Sequence, residues 1–269
     1  MTAVFVAPER AVLPSTGRSI TGRSAIQLTD VTKVYGQGSA AVTALEGLTL
    51  DVPSGGFVCL VGASGCGKST LLNIVAGLDR PSAGSVEIAG GPPALIFQEA
   101  ALFPWLTAAG NVELALKLRG VPRSERRDRV ADLLRRVNLL EFARKRPHEL
   151  SGGMRQRVAL ARALAQDARI LLMDEPFGAL DALTRDLLHE ELELLWRDGG
   201  LTVLFVTHNV REAVRLGDRV VVLSSRPGRA VAEFPVAIGG HRRIESPEVA
   251  ALSVTIRDRL GEEVRRGAR

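Results

Sequence analysis

The stretch FVCLVGASGCGKST, residues 57–70, leaves few options for the fold around it. FVCLV is an uncharged apolar run that reads as a strand buried on both faces, and STLLNIVAGL after the loop reads as a helix. Between and into them Gly62, Ala63, Ser64, Gly65, Cys66, Gly67, Lys68, Ser69 and Thr70 carry the spacing G-x-x-x-x-G-K-[ST]. The glycines let backbone N–H groups curl around phosphate, Lys68 adds a point charge, and the Ser69 hydroxyl can take a Mg²⁺ ion. Strand, phosphate loop and helix in that order imply an α/β fold with its ligands at the carboxyl ends of the strands.

Three other strand ends carry candidate chemistry for the same edge. RILLMDEP is an apolar run closing on two carboxylates, Asp174 and Glu175, which alternate along a strand and so point opposite ways. One can hold Mg²⁺ through water while the other takes a proton from an attacking water. Gln98 follows ALIF, and His208 follows LTVLFVT. Singly, each of these has an ordinary structural explanation; their force lies in converging with Gly62 on one edge of one sheet. Cys66 reads as a small filler inside the phosphate loop, placed so that its alkylation is expected to block nucleotide binding. Tyr35, the only tyrosine, is either a strand aromatic in the core or a platform for adenine.

LSGGMRQRVALARAL, residues 150–164, is a second anion-ready helix start. Ser151 can act as N-cap, Gly152 and Gly153 leave the first turn bare, and good helix formers follow. Such a start presents free N–H groups and the positive end of a helix dipole.

Residues 25–52 alternate loosely (IQLTDVTKVY, LEGLTLDV), which predicts short antiparallel strands, and PSGG marks a turn. GSVEIAG and ALIFQ are further short strands. From residue 106 to 146 the pattern is helical, with Val130, Leu133, Leu134 and Val137 on one face. Strand–helix alternation then returns: RILLMDE, LTVLFVTH and DRVVVLS as strands, LTRDLLHEELELLWRD and NVREAVRLG as helices. The expected plan is a parallel sheet covered on both faces and interrupted by a helical insert. Residues 1–24 are expected to form a loose tail. Residues 25–240 form the main domain, its insert at about 100–165, and 241–269 a C-terminal extension with at most one helix.

Composition narrows the function. With 46% hydrophobic and 24% charged residues the chain is an ordinary soluble globular type. A net charge of +5 would suit nucleic acid or an anionic membrane, but aromatics at 4% leave few surfaces on which bases could stack. The basic run over 119–146 is interspersed with Asp128, Asp132 and Glu141, the pattern of a solvated helical face. Cys59 and Cys66 alone make neither a disulfide framework nor a zinc site. The longest uncharged run, residues 52–67, is too short and too interrupted by Pro and Gly to span a bilayer. MTAVFVAPERAVLPSTG lacks the basic start and apolar core of a secretory leader. A cytoplasmic protein is expected, working at a membrane only through other chains.

Together these residues resemble the ATP-binding subunits of ATP-binding-cassette (ABC) transporters, from about residue 25 to 237. LSGGMRQR is similar to that superfamily's signature, and FGALDALTR, residues 177–185, to the loop that crosses between two such subunits. The resemblance implies an α/β P-loop NTPase (RecA-like) core with an antiparallel β subdomain and an inserted helical subdomain. It implies ATP and Mg²⁺ as ligands and ATP hydrolysis as the activity. It also gives the second helix start a use: two copies pack head to tail around ATP. Ser151 and Gly153 of one, with Gly152 between them, then meet the γ-phosphate held by the loop of the other. By the same resemblance Glu175 is the general base, Asp174 with Ser69 and Gln98 holds Mg²⁺, and His208 steadies the γ-phosphate. Tyr35 stacks on adenine and Asp181 bridges the two sites.

PFGALDALTR, FQEAALFPWLT and VVVLSSRPGR are similar to the nitrate, sulfonate and taurine branch of bacterial importers. Those combine two ATPase subunits with multi-span permease subunits and a solute-binding protein. The likeness implies import of a sulfonate-, taurine- or nitrate-like anion from a peripheral position on the cytoplasmic face of the inner membrane. It makes Phe103, Pro104 and Trp105 the grip on the permease. Asn209 is one departure, where the family usually has Asp; the GPPA between GSVEIAG and LIFQ is another, shorter than this branch generally shows, and it implies a tighter hairpin into the Gln98 loop. A soluble cassette acting on nucleic acid or ribosomes usually carries two cassettes or a long coiled-coil insert, and a P-loop kinase lacks the LSGG stretch. With one signature and no such insert, nucleic acid is not an expected partner.

Overall fold

The structure is a computed structural model that describes residues 21–239 and 242–267. In chain order the first elements are β1 (Thr21–Tyr35), β2 (Val42–Ser54), β3 (Phe57–Val61), α1 (Lys68–Val75), β4 (Ala83–Ile88) and β5 (Ala94–Ile96). A run of helices follows: α2 (Ala108–Leu118), α3 (Arg123–Arg136) and α4 (Gly152–Ala165). The chain closes with β6 (Ile170–Asp174), α5 (Ala182–Gly199), β7 (Thr202–Val206), α6 (Val210–Leu216), β8 (Arg219–Leu223), β9 (Ala230–Pro235) and α7 (Pro247–Gly267).

Two sheets result. β2-β1-β4 is antiparallel throughout, and β5-β6-β7-β3-β8-β9 is parallel except for β9 on β8. The uncharged runs become the central strands because β3 and β7 are buried at every position. Alternation along these strands sorts their side chains into two cores. Phe57, Cys59, Val61, Leu171, Met173, Val203 and Phe205 face the core built with the later helices. Val58, Leu60, Leu172, Leu204 and Val206 face α1 and the apolar side of the small sheet, where Ile26, Leu28, Leu48 and Leu50 lie. Leu134 and Val137 of the helical insert belong to the same continuous cluster as Phe205, so the insert has no core of its own.

Several expectations need correction. The first two strands are long, 15 and 13 residues, not short. Register shifts let them bend, one lying where Asp30 takes a φ of 49°. Residues 21–24, expected in the tail, already belong to β1; the rest of that tail and its expected lack of a leader lie outside the described residues. GPPA does not close a hairpin. β4 and β5 lie in different sheets, and Gly90 and Gly91, at φ 90° and 96°, carry the chain from one to the other. The helix the sequence allowed in the C-terminal extension does form: it is the 21-residue α7, and its Val249 and Ile256 enter the core against α6 and β8.

Phe205 sits between Phe57 and Phe177, with ring centroids 5.8 and 5.9 Å away. Phe205→Ala should lower the unfolding free energy by about 3–5 kcal/mol. Urea denaturation measures it; a loss below ~1 kcal/mol would show that this cluster is not central to the fold.

Candidate functional site

β3 ends at Val61 and the phosphate loop begins at Gly62, in a space that admits only glycine. A Cβ at Gly62 would lie 2.6 Å from Cys66 Sγ, and one at Gly67, where φ is 97°, would lie 2.7 Å from the Ala44 carbonyl oxygen. The turn after β8 closes the loop from outside. Gly228 donates its N–H to Ala44 O at 2.9 Å, a Cβ there would collide with Cys66 O, and Arg226 Nε donates to Gly65 O at 3.3 Å. Lys68 opens α1 and is buried, its Nζ donating to Gly62 O at 2.9 Å and Ala63 O at 3.0 Å.

The two carboxylates at the end of β6 do point apart. Burial raises the Asp174 carboxyl above its ordinary range, opposed by a hydrogen bond with Ser69 and reinforced by the Glu175 charge. Glu175 instead faces His208, with Nδ1 2.8 Å from Oε2. Its backbone is tied to β7 by an N–H bond to Val206 O at 2.9 Å, and its φ of 44° is one that a non-glycine residue adopts only when its surroundings impose it. Gln98 joins this group: a Cβ at Gly178 would lie 3.6 Å from His208 Cε1 and 3.7 Å from Gln98 Nε2. The four strand ends of β3, β5, β6 and β7 therefore meet along one edge, as expected. Asn209 accepts hydrogen bonds from the N–H groups of Arg211 and Glu212, so it caps α6 as an aspartate would.

The second helix start is built as the sequence indicates. Ser151 Oγ accepts from Met154 N–H at 3.2 Å, capping α4. The atoms nearest Gly152 and Gly153 belong to Leu180, Arg155, Thr184 and Leu188, not to residues 62–70. Asp181 caps α5 by accepting from Thr184 N–H at 2.9 Å, and this bond holds its carboxyl below the usual range. Residues 151–153 thus lie against the start of α5 near Asp181.

Tyr35 ends β1 with 42% of its surface exposed, so it is not a core aromatic. Its hydroxyl donates to Asp79 Oδ2 at 2.8 Å, and Lys33 Nζ lies 4.8 Å from the ring centroid. Phe103 and Trp105 are also exposed, their rings 5.5 Å apart.

Sequence reading missed the groups that support these residues. Gln156 and Arg162 of α4 bond the backbone around Gln98, and buried Asn111 of α2 accepts from Phe103 N–H at 2.8 Å. Beside His208, buried Glu212 lies 2.7 Å from His189 Nε2 and accepts the Thr207 hydroxyl. The one local signal was polar residues interrupting the apolar faces of α2, α4 and α5.

Cys66 is packed inside the loop as the small filler the sequence indicates, and its surroundings set how readily a reagent reaches it. The side chain is buried, and burial raises the thiol, with Lys68 only partly opposing this. A raised thiol leaves less thiolate at a given pH, so alkylation by iodoacetamide at neutral pH should be slow in the native protein and fast once guanidinium exposes Cys66. Intact-mass analysis over time reads this out. Native labelling as fast as unfolded labelling would mean that the loop opens freely.

The family profile described as ABC transporter matches residues 45–178. The nitrate import ATP-binding protein of Synechocystis sp. is 46% identical over 222 residues, 80% of this chain and 84% of that protein. The taurine import ATP-binding protein of Rhizobium johnstonii is 48% identical over 231 residues, 80% of this chain and 88% of its own length. Among solved structures, a dimeric post-hydrolysis state of an ATP-binding cassette bound to ADP and Pi superposes with a TM-score of 0.71. It is 36% identical, and the match covers 80% of this chain and 100% of that one. With its phosphate loop, split carboxylate pair and LSGG helix start set in a matching fold, the chain belongs to the ABC transporter family, as one of its ATP-hydrolysing cassettes.

Proposed function

We propose that the chain is the ATPase subunit of an importer for a small anion, in the class of nitrate, taurine or other sulfonates. The relatives named for nitrate and taurine import support the solute class. The observation that carries the catalytic reading is the division of labour at the end of β6, where Asp174 turns to Ser69 and Glu175 to His208.

The Asp174 carboxylate, the Ser69 hydroxyl beside it and the Gln98 amide oxygen would supply the all-oxygen donors that suit Mg²⁺ alongside substrate phosphates. When bound, the ion neutralises charge developing between the β- and γ-phosphates of ATP. The chain's own groups do the rest. Residues 62–70 turn their N–H groups to the phosphates, and Lys68 exchanges the Gly62 and Ala63 carbonyls for phosphate oxygens. Tyr35, exposed at the end of β1, offers a ring face to adenine. Glu175, held with its carboxylate against His208, takes the proton of the attacking water, and His208 donates to the γ-phosphate.

Ser151, Gly152 and Gly153 serve the ATP of a second copy. The bare start of α4 supports this, as do solved neighbours described as dimers. Asp181, beside that helix start, lies in the same contact. No helix among the described residues is long and apolar enough to cross a membrane. We assign the solute path to multi-span permease subunits, gripped through Phe103, Pro104 and Trp105, with a solute-binding protein delivering the anion. The chain then works from the cytoplasmic face of the inner membrane.

Lys68→Ala and Glu175→Gln should each reduce ATP turnover by roughly 10²–10³. They should differ in binding: Lys68→Ala weakens ATP affinity, whereas Glu175→Gln retains ATP and accumulates as a dimer in size-exclusion chromatography. Near-native turnover by Glu175→Gln would refute its assignment as the base. For the importer reading, affinity purification from detergent-solubilised membranes should recover a multi-span permease in one-to-one ratio. Recovery of the chain without a membrane partner would overturn it.

A further inference from the structure

The segment between β5 and α2 carries both Gln98 and the exposed Phe103 and Trp105, yet it contains no helix or strand of its own. Side chains from neighbouring helices give it its shape. Gln156 Nε2 donates to Gln98 O at 2.6 Å and reaches Phe97 O at 3.5 Å. Further along α4, Arg162 donates to Ala101 O at 2.7 Å and Ala100 O at 3.0 Å. Asn111 of α2 completes the hold, exchanging bonds with Phe103 N–H and the carbonyls of Phe103, Leu106 and Thr107.

Two details set these contacts apart from ordinary loop packing. Among the described residues Arg162 has no carboxylate within ion-pair distance, and burial lowers its pKa, so its charge is met by the loop carbonyls. Such charge-assisted bonds are roughly twice as strong as neutral ones. Gln156 is 6% exposed and its Oε1 has no hydrogen-bond partner, so the side chain spends its burial on the donor end, at Gln98. Ala101, between the held carbonyls and the aromatic pair, has a φ of 44°, which the clamp helps to impose.

We propose that Gln156 and Arg162 are positioning residues for Gln98. Through the carbonyls of Phe97, Gln98, Ala100 and Ala101 they fasten this segment to α4. The backbone on both sides of Gln98 is thereby tied to the helix that opens at Ser151. The inference rests on the reading of Gln98 as a Mg²⁺ contact given above.

The test uses the full chain with Gln156→Leu, Arg162→Met and Arg162→Lys, beside Gln98→Ala. Three quantities are measured: amide hydrogen exchange over 97–103, ATP binding in EDTA, and the Mg²⁺ concentration for half-maximal ATPase. Gln156→Leu and Arg162→Met should lose exchange protection at 97–103 and keep EDTA binding within about twofold. Their Mg²⁺ requirement should rise about tenfold, as expected when a support behind a metal ligand is removed. Arg162→Lys, which keeps the charge and a donor, should fall between these and the parent. The proposal is overturned if Gln98→Ala raises the Mg²⁺ requirement while the clamp variants lower only thermal stability. If Gln98→Ala leaves the Mg²⁺ requirement unchanged, the metal role of Gln98 fails by itself. Exchange protection at 97–103 then decides the clamp, its loss supporting the proposal and its persistence overturning it.

Discussion

β3 is buried at all of its positions, and its side chains alternate between two cores: Phe57, Cys59 and Val61 toward the later helices, Val58 and Leu60 toward α1 and the small sheet. A one-residue slip would send every side chain into the wrong core, so its register between β7 and β8 is strongly specified. The carboxyl end of such a strand is a fixed point, and Gly62 starts from it. The same double burial fixes β6 and β7, whose ends hold Asp174, Glu175 and His208. The precision of the site is inherited from the sheet.

At that edge the chain tolerates local costs. Asp174 is partly buried beside a second carboxylate, Glu175 adopts a backbone conformation that disfavours a side chain, and the Lys68 charge is met by two loop carbonyls. Each is stable only because the surrounding strands over-determine it, and each leaves a group whose partners can be exchanged for a phosphate, a metal ion or a water. The turn after β8 adds to this by packing Gly228 onto the Cys66 carbonyl and Arg226 onto Gly65.

The helical insert is attached in a different way. Its apolar side chains continue the main core, but its polar ones, Asn111, Gln156 and Arg162, are directed at the irregular segment after β5. That segment takes its conformation from α2 and α4. The geometry of Gln98 is thereby linked to the helix that opens at Ser151, while Glu175 and His208 belong to the sheet.

Much of this could be read from the chain. The phosphate loop, the strands ending at Asp174 and His208, the cap at Ser151 and the opposite directions of Asp174 and Glu175 all follow from local spacing. Periods of 2 and 3.6 residues are properties of a few consecutive residues. The hairpin expected at GPPA was an error of the same local logic. Four residues can turn a chain back on itself, but β4 bonds to β1 and β5 to β6, a choice made by distant partners. Burial of the Cys66 thiol, the pairing of Glu175 with His208, and the hold of Gln156 and Arg162 on residues about 60 positions away were likewise decided only in three dimensions. The sequence by itself determined which backbone shapes form and which chemical groups stand at their ends. Tertiary structure decided which of those groups meet, because a contact between residues far apart depends on how the intervening elements cross and pack.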